Sequence, residues 1–294
     1  MRKWWLLLAA LVLWNGLGYA LLGRSTANTD CPTATESQPT RIVSMGPNLT
    51  ELLYALGLEP RIAGVTIDSD YPPEVTAKTR VGGFWQPNIE AIIATQPDLV
   101  VTLGFEQQRQ VAGRMSRMGY ATLTLNIETI DDLFQGITAI GQATGAGERA
   151  GELVEAMRGR METVRRAAAT RERPNVLWVV MRDPLRVAGR NTFANEIIEL
   201  AGGRNAIGRT LHQYPSIGAE QIIASGIDVI IEPTMLPGQE QVQYEQALQY
   251  WAEFSTVPAV ANKRIYVVNG DLVSRLGPRL CDGIETIADC LKGE

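Results

Sequence analysis

From Arg41 onward the apolar positions follow two rhythms that alternate along the chain. Short aliphatic and β-branched runs (RIVSM, RIAGVT, DLVVTL, ATLTLN) have the length of buried strands, and between them TELLYALGL and NIEAIIATQ place their apolar residues at helical spacing. Strands joined through helices predict an α/β fold with parallel sheets. After DDLFQGITAIGQATG, the segment from Glu148 to Thr170 contains no proline and carries Leu153, Val154, Met157, Met161 and Val164 at helical intervals. It predicts one helix of about 35 Å. Arg173-Pro174 ends that helix, and the alternation restarts with NVLWVVM, FANEIIELAGG, AEQIIASG, DVIIEP and RIYVVN before a final helix from about Gly277.

One phrase occurs twice. NIEAIIATQPDLVV starts at Asn88 and GAEQIIASGIDVII at Gly218, with five of fourteen positions identical and four more conservatively exchanged. Each copy reads as an amphipathic helix feeding an Asp-led buried strand. Each also has an aromatic residue a few positions ahead of its acid: Trp85 before Glu90, and Tyr214 before Glu220. The copies flank the long helical segment. The economical architecture is two related Rossmann-like α/β lobes, residues 41–147 and 173–294, joined by one long rigid helix over 148–172.

The first residues break this pattern. Arg2-Lys3 precedes eleven apolar residues, Trp4 to Trp14, and small residues follow at Ser25-Thr26-Ala27. Residues 1–27 therefore read as an export signal or, because Trp4 to Leu22 approaches the ~20 residues that span a bilayer, as an N-terminal membrane anchor. Residues 28–40, polar and proline-containing, read as a flexible tether. Both readings place the folded part in a periplasmic or extracytoplasmic compartment. Oxidising conditions there allow a disulfide. Cys281 and Cys290, nine residues apart on one helix, are separated by about 13 Å and cannot bridge each other, so a bond would run from Cys31 to one of them. Free thiols on the last helix are the other reading.

Composition excludes some partners. With 45% apolar and 20% charged residues the chain can bury real cores, and a net charge of −5 offers no basic field for a polyanion, so no nucleic-acid partner is expected. Zinc or manganese receptors need several imidazoles or compact His and carboxylate sets, whereas His212 is the single histidine here and falls in a polar loop. No phosphate loop and no Gly-x-Ser-x-Gly is present, and AGGRNAIG follows a helix, as a turn does. A metal-ion receptor and an enzyme on a two-lobed fold stay open as alternative readings.

RIVSMGPNLTELLYALG, SDYPP, GGFWQPNIEAIIATQPDLVV and NGDLVSRLGPRL, in this order and with the long helix between them, resemble the periplasmic substrate-binding proteins of ABC importers for cobalamin, haem and ferric siderophores. The cobalamin-binding type is the nearest. The resemblance implies a monomeric receptor with little hinge motion, an ABC permease dimer with its ATPase as partner, and no cofactor, the ligand itself being a cobalt or iron chelate. Ligands of such sheets meet loops at the strands' carboxyl ends. The candidate ligand residues there are Asn48, Tyr71, Phe84, Trp85, Phe105, Arg182, Phe193 and Arg275, the aromatics for stacking and the arginines for carboxylate or catecholate oxygens. Glu90 and Glu220 stand where the family's lobes present one glutamate each to permease arginines. Helix-dipole stabilisation alone would also account for an acid in a first turn.

Overall fold

The computed structural model describes residues 38–234 and 238–292. The expected signal or anchor (1–27), the tether up to residue 37 and Cys31 lie outside them. Among the described residues no helix is long and apolar enough to cross a membrane.

In the first half, β1 (Ile42–Ser44), α1 (Pro47–Ala55), β2 (Ile62–Val65), α2 (Ile89–Ala94), β3 (Leu99–Leu103), α3 (Glu106–Arg117) and β4 (Thr122–Leu125) build a sheet of order β2-β1-β3-β4. All its pairings are parallel. Next come α4 (Ile130–Thr144) and α5 (Gly147–Ala168). The latter is the long helix the spacing predicts, 22 residues and about 33 Å in length.

The second half contains β5 (Asn175–Arg182), β6 (Leu185–Val187), α6 (Phe193–Leu200), β7 (Arg204–Asn205), α7 (Ala219–Ala224), β8 (Val229–Pro233), α8 (Glu240–Trp251), α9 (Pro258–Ala261), β9 (Ile265–Val268), α10 (Gly270–Val273) and α11 (Leu280–Lys292). Its sheet runs β6-β5-β8-β9, with β7 beside the first residues of β5. It is not wholly parallel. Only Asp183-Pro184 separates β5 from β6, and so short a connection can only return the chain antiparallel. The helix α8 is not among the elements that the periodicity predicts; Val242 and Leu248 stay exposed while Ala247 and Trp251 are buried, so its apolar positions do not form one stripe.

Alternate strand residues serve different cores. Ile42, Leu99, Val101, Leu103, Leu123 and Leu125 of the first sheet and Val176, Trp178, Val229 and Ile231 of the second belong to one cluster, which α5 joins through Met157 and Met161. Val43 and Val100 turn to a separate cluster, and Leu177, Val179 and Ile230 to a third. Sheets covered on both faces need strands that are apolar throughout, which is why the strand runs are continuous and not alternating. The two sheets thus share one interior through the long helix.

The duplicated phrase marks one device built twice. Asp98, ahead of β3, accepts from the backbone N–H groups of Thr40 (2.7 Å) and Arg41 (2.9 Å), fixing the start of β1. Asp228, ahead of β8, accepts from Asn175 N–H (2.8 Å) at the start of β5. Between helix and strand, Gln96 and Gly226 both take a left-handed turn, at φ 48° and 55°. The hydroxyls of Thr95 and Ser225 donate back to the carbonyls of Ile92 and Gln221. Each copy therefore aligns the central strand pair of its own sheet.

On α11, Cys281 is buried and its Sγ lies 3.6 Å from the Met157 carbonyl, while Cys290 is half-buried; both are free thiols among the described residues. Burial pushes each up to about 11. The pairing expected with Cys31 falls outside the described residues.

Burial alone would push the Asp98 carboxyl up, but the bonds from Thr40 and Arg41 outweigh it and hold it below its ordinary value. A depressed folded-state value means stability that is present above the unfolded pKa and lost as pH falls through the folded one. Replacing Asp98 by Ala should cost about 1–2 kcal/mol in urea unfolding near neutral pH, the low end because the carboxylate is solvent-facing. The same variant should show a shallower loss of stability than the parent protein on acidification below the normal carboxylate range.

Candidate functional site

The carboxyl ends of the two sheets face one open cavity of about 500 Å³. One wall is aromatic. Phe84 and Trp85 meet edge to face with centroids 4.8 Å apart, and Phe105 closes the group at 5.8 Å from Phe84 and 6.0 Å from Trp85. Trp85 is 63% exposed, far more than a tryptophan that caps a core. The opposite wall is Thr192, Phe193, Gln213 and Tyr214 of the second lobe, and Ser274, Arg275 and Leu276 form an end.

Backbone constraints hold the aromatic loop in place. Gly82 sits at φ 98°, and a Cβ there would lie 2.5 Å from the Asn88 nitrogen, so the turn needs glycine. Ile67 N–H donates to Gly82 O (2.9 Å) and Asn88 N–H to Val81 O (3.0 Å), and the Asn88 side chain then caps α2 by accepting from Ala91 N–H. Asp68 Oδ2 accepts from Phe84 N–H at 2.5 Å. Beneath the loop, the hydroxyls of Ser44, Thr50, Ser69 and Thr66 form a buried chain with links of 2.8 to 3.0 Å. Gln108, also buried, ties Leu103 N–H to Met45 O across the ends of β3 and β1. The cleft edge is thus rigidly wired on the first lobe's side.

An ion cluster joins the lobes at the cavity's end. Glu51 of α1 is buried and accepts a fork from Arg279, Nε at 2.8 Å and Nη2 at 2.7 Å. Arg275 reaches Asp70 at 2.7 Å, Asp271 at 2.9 Å and Glu51 at 3.6 Å. Asn48 Nδ2 donates to Leu276 O (3.2 Å) beside them. Burial pushes the Asp70 carboxyl up, yet the hydrogen bond and charge of Arg275 outweigh it and hold it below the ordinary carboxylate value.

Six of the eight expected ligand residues line the cavity: Asn48, Phe84, Trp85, Phe105, Phe193 and Arg275. Two do not. Tyr71 carries the Arg279 guanidinium over its ring at 3.9 Å, which makes it a platform for the inter-lobe cluster. Arg182 lies within the second lobe, donating to buried Glu232 through Nε (3.0 Å) and Nη2 (2.7 Å) and to Gln243 O, with the Trp251 indole on the other carboxylate oxygen. It neutralises a buried carboxylate and is not among the residues that line the cavity. Trp85 and Tyr214, the aromatic residues that precede the two copies of the duplicated phrase, meet on one cavity from opposite lobes.

A family model described as periplasmic binding protein matches residues 42–272. The chain belongs to the periplasmic binding protein family. Among its relatives, an uncharacterised ABC transporter substrate-binding lipoprotein, YvrC of Bacillus subtilis, is 30% identical over 87% of this chain and 81% of its own. The vitamin B12-binding protein of Vibrio cholerae is 25% identical over 86% of this chain and 89% of its own. The crystal structure of a possible iron-binding, periplasmic solute-binding protein from Staphylococcus epidermidis superposes with a TM-score of 0.75 at 28% identity, covering 86% of this chain and 99% of the other.

In this periplasmic binding protein Glu90 and Glu220 are exposed in the first turns of α2 and α7, the matching helices of the two lobes, and make no ion pair among the described residues. Glu128 and Gln213 line the cavity but are not among the residues the sequence points to. Glu128 stands three residues beyond the end of β4, so the strand-end rule extended past ATLTLN would have found it; Gln213 lies in a long loop that no pattern marks. Among the described residues no group of three or more His, Cys, Asp or Glu could hold a metal ion.

Arg182→Met should destabilise the protein by about 3 kcal/mol, because it strands the buried Glu232 carboxylate. Ligand affinity measured below the unfolding transition should be unchanged, which separates a structural arginine from a ligand-binding one.

Proposed function

We propose that this protein is an extracytoplasmic receptor that captures one bulky metal chelate, a cobalamin, haem or ferric siderophore, between its lobes and delivers it to an ABC permease with its ATPase. The observation that carries the reading is the open cleft walled by Phe84, Trp85 and Phe105 on one lobe and by Phe193 and Tyr214 on the other. Exposed aromatic faces on both sides suit a large ligand with an apolar face, and a volume of this size falls in the usual range for small-molecule sites while its open mouth leaves room for the remainder of a macrocycle. The relatives' descriptions, substrate binding for an ABC transporter, vitamin B12 binding and, for the Staphylococcus protein, periplasmic solute binding with iron as a possible ligand, agree with it. The chelate is cargo, released unchanged, and no resident cofactor is needed. The Bacillus relative's description as a lipoprotein supports placement at the outer face of a membrane, with residues 1–27 as signal or anchor.

The lobes close by only a few degrees in this reading, since α5 and the Glu51–Arg279 and Asp70–Arg275 pairs span them together. Glu90 and Glu220 are then the docking acids: exposed, unpaired among the described residues and placed alike on the two lobes.

Titration with cobalamin, haemin and a panel of ferric siderophores, followed by tryptophan quenching, should give saturable binding by at least one of them. Trp85→Ala should weaken it by about tenfold or more, in line with the loss of one stacking face. Mass analysis of the released ligand should show it unaltered. Charge reversal of both docking acids, Glu90→Lys with Glu220→Lys, should leave binding intact while cutting uptake in reconstituted transporter by about tenfold or more.

A further inference from the structure

The cavity on which the receptor reading rests has a charge balance that narrows its cargo. Its lining contains two carboxylates on the first lobe, Asp68 and Glu128, and one guanidinium, that of Arg275. That guanidinium is already engaged by Asp70, Asp271 and Glu51. Counting these direct partners and Arg279, five carboxylates face two guanidiniums. The Glu128 side chain has neither an ion pair nor a hydrogen bond among the described residues. Tyr214, across the cavity, has its phenol pushed up by burial and further by the charge of Glu128. Asp68 accepts from the Phe84 backbone N–H and makes no ion pair among the described residues.

An anion entering this space meets unneutralised negative charge between apolar walls, where solvent screens weakly. To gain Arg275 it would have to displace Asp70. We infer that the cleft selects uncharged or cationic metal chelates with an apolar face, and that Glu128 and Asp68 are specificity-determining carboxylates that turn polyanionic chelates away. This reverses the role the arginines suggest in the sequence alone, and it depends on the receptor reading above.

The test uses the purified full chain and three probes: cyanocobalamin, which is uncharged overall, aquacobinamide, a cation, and a ferric tris(catecholate), a trianion. Affinities are read by tryptophan quenching and calorimetry at two ionic strengths. The parent protein should bind both corrinoids at least about tenfold tighter than the trianion, with the gap narrowing as salt screens the carboxylates. Glu128→Gln, alone and with Asp68→Asn, should weaken the cation severalfold, strengthen the trianion severalfold and leave the uncharged probe within about twofold. Changes of the same sign for all three probes would show that the carboxylates merely support the wall, and would overturn the inference. So would tight trianion binding by the parent protein, an outcome that leaves the receptor reading standing. Failure of the parent protein to bind any of the three probes or haemin would remove the receptor reading, and this inference with it, whereas binding of haemin alone would overturn this inference and leave the receptor reading standing.

Discussion

The cleft depends on a buried negative charge. Glu51 lies inside α1, almost without solvent, and an isolated carboxylate there would cost several kcal/mol. It is stable because Arg279 grips both its oxygens and Arg275 stands 3.6 Å away, and these arginines come from a segment more than two hundred residues further along the chain. Satisfying Glu51 therefore pins the stretch between α10 and α11 against the first lobe. Asp70, Tyr71 and Asn48 then find their partners on the same segment, and Leu276 and Arg275 become one end of the cavity.

The aromatic wall is positioned by the same logic at shorter range. A glycine turn, an Asn cap and the Asp68 carboxylate fix the loop that carries Phe84 and Trp85, so two apolar rings are held in water by polar constraints behind them. Exposing a tryptophan to this degree gains nothing for the folded chain alone. Its placement opposite Phe193 and Tyr214 makes sense only with something between.

Much of this is legible in the sequence. Strand and helix rhythms locate both sheets, because strands covered on two faces must be apolar throughout, and the doubled phrase locates the helix-to-strand unit that aligns each central strand pair. Its two aspartates look like incidental strand openers, and their work as backbone clamps on Thr40, Arg41 and Asn175 shows only when the neighbouring strand is in place. The aromatic part of the site is readable for a related reason: rings in a glycine-proline loop after a strand have few structural uses. Charged residues are not. Arg182 and Arg275 look alike in sequence, yet one is absorbed by Glu232 inside the second lobe and the other faces the cavity with its charge taken up by Asp70. Which acid meets which arginine is set by tertiary contacts across 50 and 205 residues, and no local pattern encodes it. The helix α8 escapes the periodicity because its apolar residues do not line one face.

The shared interior has a consequence for cooperativity. Met157 and Met161 of α5 lie in the same cluster as Ile42 and Leu123 on one side and Val176 and Ile231 on the other, so neither half closes this largest core alone. Cutting the chain between the halves would leave an apolar helix stripe wet on whichever piece kept it, and the other piece with a hole. The molecule should therefore melt as one body, and neither half should persist as an autonomous fragment.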